Sequence, residues 1–289
     1  LMPGSVFSVD GKTGAEHTAM ARARLLSWLS LRWRYGFSEW YSNTYYVEDV
    51  APLANLVDFS GVDRGAVPGD REVAVKAAIV LDLLLYDLAS QSFRGSFVSS
   101  MGRAYEAGKK GGADSMRSVS AKLWGYDLGP ERIGMELNFT LARTYRAPAA
   151  VIAVGRDPST AVIRASNGLD VGELRGEGLV GQRDGEIMMQ WGMEAFTNPA
   201  VITNSVRYAH RHRLFANAFL NDLVVVDVGL LRCTGLLGPV SRILHPVTDG
   251  VAIQRANVYA LRTPRYLLAT AQRHHPGEYG DQQHIWSAN

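Results

Sequence analysis

Apolar positions in the first part of the chain recur with helical spacing. Residues 15–35, "AEHTAMARARLLSWLSLRWRY", place Met20, Leu25, Leu29 and Trp33 three to five apart, with Arg22, Arg24 and Arg32 between them. That pattern predicts an amphipathic helix, and Gly36 is a natural stop. A shorter helix is expected over "VEDVAPLANLVDF", residues 47–59, with Glu48 and Asp49 where the helix dipole favours acids. Residues 69–93 are apolar round most of the circumference from Val73 to Leu88, which predicts a helix buried on all sides, interrupted by Asp82 and Asp87. Small polar and glycine-rich residues at 94–112 read as a loop. Further helices are expected from Pro130, from Pro148, over 187–196, over 198–212 with Asn198 capping and Pro199 in the first turn, and over 214–226. Residues 167–186 read as a glycine-rich loop.

The periodicity changes after "HPVTDG", residues 245–250. Val251, Ile253, Arg255, Asn257 and Tyr259 alternate with Ala252, Gln254, Ala256 and Val258. Thr263-Pro264 breaks the run, and Tyr266, Leu268, Thr270 and Gln272 alternate again, which predicts a strand hairpin. Two strands alone are marginal, so they must dock on the helices or pair with further strands.

Composition narrows the function classes. The chain has 289 residues, 47% of them hydrophobic and 20% charged, as in a globular protein with a sizeable core. A net charge of +2 gives no strong pull towards nucleic acid. No segment reaches the ~18 uninterrupted apolar residues of a membrane span. The single Cys233 excludes an internal disulfide and a cysteine-built metal site, and its apolar setting predicts an inert buried thiol. The start shows no signal peptide. The chain opens on Leu1 and stops at "HIWSAN", which predicts a fragment, and the compartment is not legible.

Candidate chemistry gathers in three stretches. The first, residues 34–50, is dense in hydrogen-bonding aromatics: Trp40 could stack on a sugar, Glu39 or Glu48 could serve as acid or base, Tyr45 or Tyr46 could move a proton, and Asn43 could neutralise a carboxylate. The second, residues 91–106, offers Arg94 and Arg103 as anion holders and Tyr105 as a proton donor. The third, residues 272–286, packs His274, His275, Gln282, Gln283 and His284 round a Pro-Gly turn, as a substrate-contacting loop would. Its spacing matches no familiar metal signature. Each stretch could equally be packing over the core or a polar turn. His245 is a catalytic outsider at the expected domain junction, where clefts form. His210 and His212 complement a helix C-terminus. No phosphate loop, dinucleotide fingerprint, kinase set or nucleophile elbow occurs, and no cofactor is expected.

Taken together, "RYGFSEWYSNTYYVEDVAPLANLVDF", "LDLLLYDLASQSFRGSF", "WGMEAFTNP" and "HPVTDGVAIQRANVYALRTPRYLLATAQRHHPGEYGDQQHIW" resemble large bacterial proteins of the heparinase and alginate-lyase type. The resemblance implies a mainly α fold: an incomplete α/α toroid of helical hairpins over residues 1–245, then the start of a β-sandwich-like domain over 246–289. It implies a polysaccharide or oligosaccharide substrate and β-elimination on an acidic glycan. The alternatives are a glycoside hydrolase on the same toroid, with Glu39 or Glu48 and a second carboxylate, and a non-catalytic glycan-binding or scaffold protein. The resemblance brings no matched catalytic motif, so no residue role is carried over.

Overall fold

The computed structural model describes residues 2–63, 68–110, 114–126, 142–218, 224, 227–244, 252–274 and 282–289. Helix α1 spans Gly14–Tyr35 and opens on a capping box, in which Thr13 and Glu16 each accept from the other's backbone N–H. Helix α2 spans Tyr46–Ser60, with Glu48 and Asp49 in its first turn as expected. Helix α3, Arg71–Ser90, is capped by Asp70, which accepts from the Val73 N–H. Leu81, Leu84, Leu85 and Leu88 of α3 are fully buried against α1 and α2, each contributing about 1.5–3 kcal/mol of apolar transfer.

Two expectations about these helices are corrected. Helix α3 is not buried all round, since Val75, Ile79 and Tyr86 are exposed. On α1, Arg32 turns inward and Trp33 outward: Arg32 is 6% exposed and Trp33 62%. Leu25, Leu29 and Arg32 share an i, i+4, i+7 stripe, whereas a strict four-residue step to Trp33 drifts about 40° per step round a 3.6-residue helix.

Beyond α3 the chain forms a tight hairpin, β1 (Ser92–Phe93) and β2 (Ser96–Phe97). Its two-residue turn, Arg94-Gly95, has positive φ at both positions (49° and 81°), the type I′ geometry that suits strand twist. Short helices follow: α4 (Glu106–Lys109), α5 (Arg117–Trp124) and α6 (Ala149–Arg156), the last opening after Pro148 as expected. The helix expected from Pro130 lies largely outside the described residues. Helix α7 spans Asp184–Gly192, somewhat earlier than the expected 187–196. Helix α8 spans Ile202–Arg211 and ends on His210 and Arg211. Asn198 caps the turn before it, its Oδ1 accepting from the Ala200 N–H at 3.0 Å. Residues 229–234 and 237–243 form two further short helices, α9 and α10, which the pattern did not foretell. Cys233, expected buried, is exposed on α9.

The expected hairpin is present as β4 (Ala256–Arg262) and β5 (Leu267–Gln272), with Thr263-Pro264 in its turn. It belongs to a four-stranded antiparallel sheet in the order β3-β4-β5-β6. Strand β6 is Trp286–Ala288, and β3 (Ala161–Asn167) pairs with β4 over its full length. The run "AVIRASN" carries no strand signal that its local sequence alone makes decisive, and its pairing with β4 makes it a strand. The expected boundary near residue 245 lies outside the described residues, and β3 joins the sheet from before it. Ile253, Ala256, Val258 and Ala271 share one core with α1–α3. Arg262, itself buried, donates to the Ala89 carbonyl at the end of α3 (3.0 Å) and to the Val154 carbonyl of α6 (3.3 Å). A cation there satisfies a free helix carbonyl and complements the dipole. Among the described residues, the molecule is mainly helical with the β1–β2 hairpin and a small four-stranded antiparallel sheet, and no helix is long and apolar enough to cross a membrane.

Candidate functional site

The three chemistry-rich stretches meet. Residues 100–104 run between the loop after α1 and the segment leading into β6. On one side the Gly102 N–H donates to the Trp40 carbonyl (2.7 Å), and Ser42 Oγ donates to the Arg103 carbonyl (2.8 Å). On the other, Met101 and His284 exchange both backbone hydrogen bonds at 2.8 Å, and the Ala104 N–H donates to the Gln282 carbonyl at 3.0 Å. Gly102 is required by this approach, because a Cβ there would stand 2.9 Å from the Trp40 backbone and ring.

Beside this junction lies a cleft of about 290 Å³ between α1, the loop of residues 37–45, the first turn of α2 and the end of α7. Trp28, Phe37, Trp191 and Phe196 give it aromatic walls. Glu39, Asp49, Glu194 and Arg32 bring charge into it. Glu194 is held in the left-handed region (φ 56°) just past the end of α7, a conformation that costs a non-glycine residue about 1 kcal/mol or more and aims its carboxylate at Arg103. Two larger hollows, about 530 and 590 Å³, lie between α1 and residues 177–186. Most of their charges pair with each other, as Arg34–Glu177, Arg24–Asp184 and Arg183–Glu186, and Arg211 donates to Gln182 Oε1.

Arg103 is the electrostatic hub. It pairs with Glu194, reaches Glu39 at 3.4 Å, and stacks over the Tyr45 ring at 5.3 Å. Tyr45 Oη and Tyr105 Oη lie 2.5 Å apart, and Arg103 Nη2 stands 3.5 Å from Tyr105 Oη. The hydrogen bond with Tyr45, then that from Arg103, lowers the Tyr105 pKa below the usual phenol value. The same bond with Tyr105 pushes Tyr45 up to about 12, and either hydroxyl can be the donor in it. Burial raises Glu39, with Arg103 opposing. Burial also pushes Asp49 up to about 7, against the pull of Arg32 and with the help of Glu39 and Glu48.

Several residues named from sequence take other places. Trp40 is fully buried; its Nε1 donates to the Gln254 carbonyl (3.2 Å) and it offers no face to a sugar. Asn43 is 1% exposed and its Nδ2 donates to the Gly108 carbonyl (3.4 Å), which removes it as a carboxylate holder. Tyr46 is buried at the base of the cleft, where its hydroxyl donates to Asp87 (3.2 Å) and burial raises its pKa well above 10. A proton it rarely releases makes a poor shuttle. Arg94 sits on the β1–β2 turn, donates to the Pro264 carbonyl (3.2 Å) and does not line the cleft. His274 is half-buried, edge-on to Trp40 at 6.4 Å between ring centres. Gln282, Gln283 and His284 are half-buried on the segment that pairs with residues 101–104, and burial lowers the His284 pKa. His245 and His275 lie outside the described residues.

No family model matches the chain, and no curated protein or solved structure matches it.

Sequence reasoning missed Trp28, Arg32, Trp191, Glu194 and Phe196, and it read Asp49 only as a helix-start acid. One signal was available: Arg32 is a charge on the apolar stripe of α1, where a charge without a function is rare. Among the described residues no three of His, Cys, Asp and Glu converge as metal ligands would.

Proposed function

We propose that the chain is a carbohydrate-active protein that cleaves an acidic glycan by β-elimination in the aromatic-walled cleft. The observation that carries this reading is the Tyr45–Tyr105 hydrogen bond of 2.5 Å against Arg103. The shared hydrogen bond lowers the Tyr105 pKa and raises that of Tyr45, which supports a division of the pair into a base and an acid. Tyr105, as phenolate, takes the proton from the carbon next to the sugar carboxylate. The electron pair of that C–H bond becomes the new double bond, and the glycosidic C–O bond on the adjacent carbon breaks. The departing oxygen receives the Tyr45 proton. Transfer of the captured proton from Tyr105 to Tyr45 along their hydrogen bond resets the site.

The packing of α1 and α2 on α3 supports the finer proposal that the helical part belongs to an α/α toroid. The test is incubation with polyuronates. Unsaturated products absorb in the ultraviolet, and Tyr105→Phe should slow their appearance by about 10²–10⁴-fold in a folded protein. No ultraviolet product from any polyuronate would sink the elimination mechanism.

A second reading rests on Asp49. Burial pushes its carboxyl up to about 7 in a cleft that Glu39 also lines, which supports a general acid with a second carboxylate in the same site, as in a glycoside hydrolase. Reducing ends released from a neutral glycan, without ultraviolet absorbance, would favour it. Binding without turnover would favour a glycan-binding role.

A further inference from the structure

We infer that Arg32 is the residue that grips the carboxylate of the acidic sugar and so sets the preference of the cleft for uronates over neutral sugars. This rests on the carbohydrate reading of the cleft.

Two guanidinium groups bear on the site, and one is already committed: Arg103 holds Glu39 and Glu194. Arg32 is different. It lines the cleft while only 6% exposed, and no carboxylate among the described residues lies within ion-pair distance of it. Its Nη1 donates to the Gly36 carbonyl at 3.2 Å and makes a long contact to Ser38 Oγ at 3.5 Å, while its Nε has no hydrogen-bond partner. Asp49 and Glu39 attract it across the cleft without pairing with it, so the buried charge is only partly compensated, and a buried N–H without an acceptor adds to the cost. The rings of Trp28 and Phe37, 5.6 and 5.8 Å from the guanidinium carbon, offset only part of it.

A guanidinium presents donors in a planar fork that matches a carboxylate in shape and charge. A uronate carboxylate entering here would supply the missing acceptor, and its ring would lie among the aromatic walls. Gly192 keeps the approach clear: a Cβ there would stand 3.4 Å from Arg32 Nη2 and from Ser38 Oγ, so a longer side chain would cover the fork. The other candidates are excluded by position, since Asn43 is buried on Gly108 and Arg94 lies on the β1–β2 turn.

The experiment compares D-glucuronate and D-galacturonate with D-glucose and D-galactose on the full chain at fixed ionic strength. Binding is read by tryptophan fluorescence and by saturation-transfer NMR. The uronates should bind roughly tenfold tighter than their neutral counterparts, the scale of one charge-assisted contact. Arg32→Met should remove that preference while leaving the binding of neutral sugars; Arg32→Lys should keep part of it. Far-ultraviolet circular dichroism establishes that the variants fold, and the wild-type comparison decides alone if they do not. Equal binding of acid and neutral sugars, or a preference that survives in Arg32→Met, overturns the role of Arg32 and leaves the carbohydrate reading standing. Failure of all four sugars to bind overturns both.

Discussion

Tyr45 Oη and Tyr105 Oη, sixty residues apart in sequence, stand 2.5 Å from each other, and of the two it is Tyr45 that lines the cleft. Ser42 Oγ, bonded to the Arg103 carbonyl, fixes the two loops in register, and Arg103 reaches back over the Tyr45 ring. Two phenols in one hydrogen bond titrate as a pair, and the cation beside them favours the loss of one of their protons.

Elimination activity should therefore rise with pH as Tyr105 deprotonates, with its midpoint below the ordinary phenol value near 10. Tyr105→Phe should lower the rate by about 10²–10⁴-fold and flatten that limb. Tyr105 is 40% exposed, so stability should change by less than about 0.5 kcal/mol. A pH–rate profile beside a urea titration checks both.

Trp40 and Trp191 should separate packing from binding. Trp40→Ala should cost about 3–5 kcal/mol in chemical denaturation, because the ring is fully buried in the main core. Trp191 is half-buried on the cleft wall, and Trp191→Ala should weaken glycan binding by roughly tenfold or more, the scale of one lost stacking contact. If Trp40→Ala weakened binding while leaving stability intact, the assignment of Trp40 to the core would be wrong.

Stability should fall as pH rises from 5 to 8. Burial pushes Asp87 and Asp49 up to about 7 and Asp114 up to about 6, from ordinary values near 4. Such groups favour the folded state fully below their unfolded pKa, and the stability is lost as pH climbs through the folded one. The melting temperature should drop by roughly 5 °C over that range, and Asp87→Asn, which keeps an acceptor for Tyr46, should shrink the drop. Calorimetry at a series of pH values measures it; a melting temperature that rises over the window would contradict the burial of these acids.

Gly102→Ala should destabilise the chain by about 1–3 kcal/mol, because the new Cβ would collide with Trp40. Hydrogen exchange should show the Gly102 and Met101 amides losing protection first, since these bonds tie the second stretch to the other two. Unchanged protection there would mean that the junction does not depend on this close approach.

Local patterns in the sequence were enough to place α1, α2, α3 and the β4–β5 hairpin, because a 3.6-residue or two-residue apolar period is a property of each segment alone. They were also enough to single out three stretches dense in side chains that can do chemistry. They could not place β3, whose pairing with β4 is set by a partner about a hundred residues away. Nor could they tell which members of each stretch face solvent. Trp40 and Asn43 went to the core, while Arg32 and Asp49 came to the cleft. Residue type gives the chemistry a side chain can perform. Whether it performs it depends on what stands opposite, and for Tyr45, Tyr105 and Arg103 only tertiary packing supplied that partner.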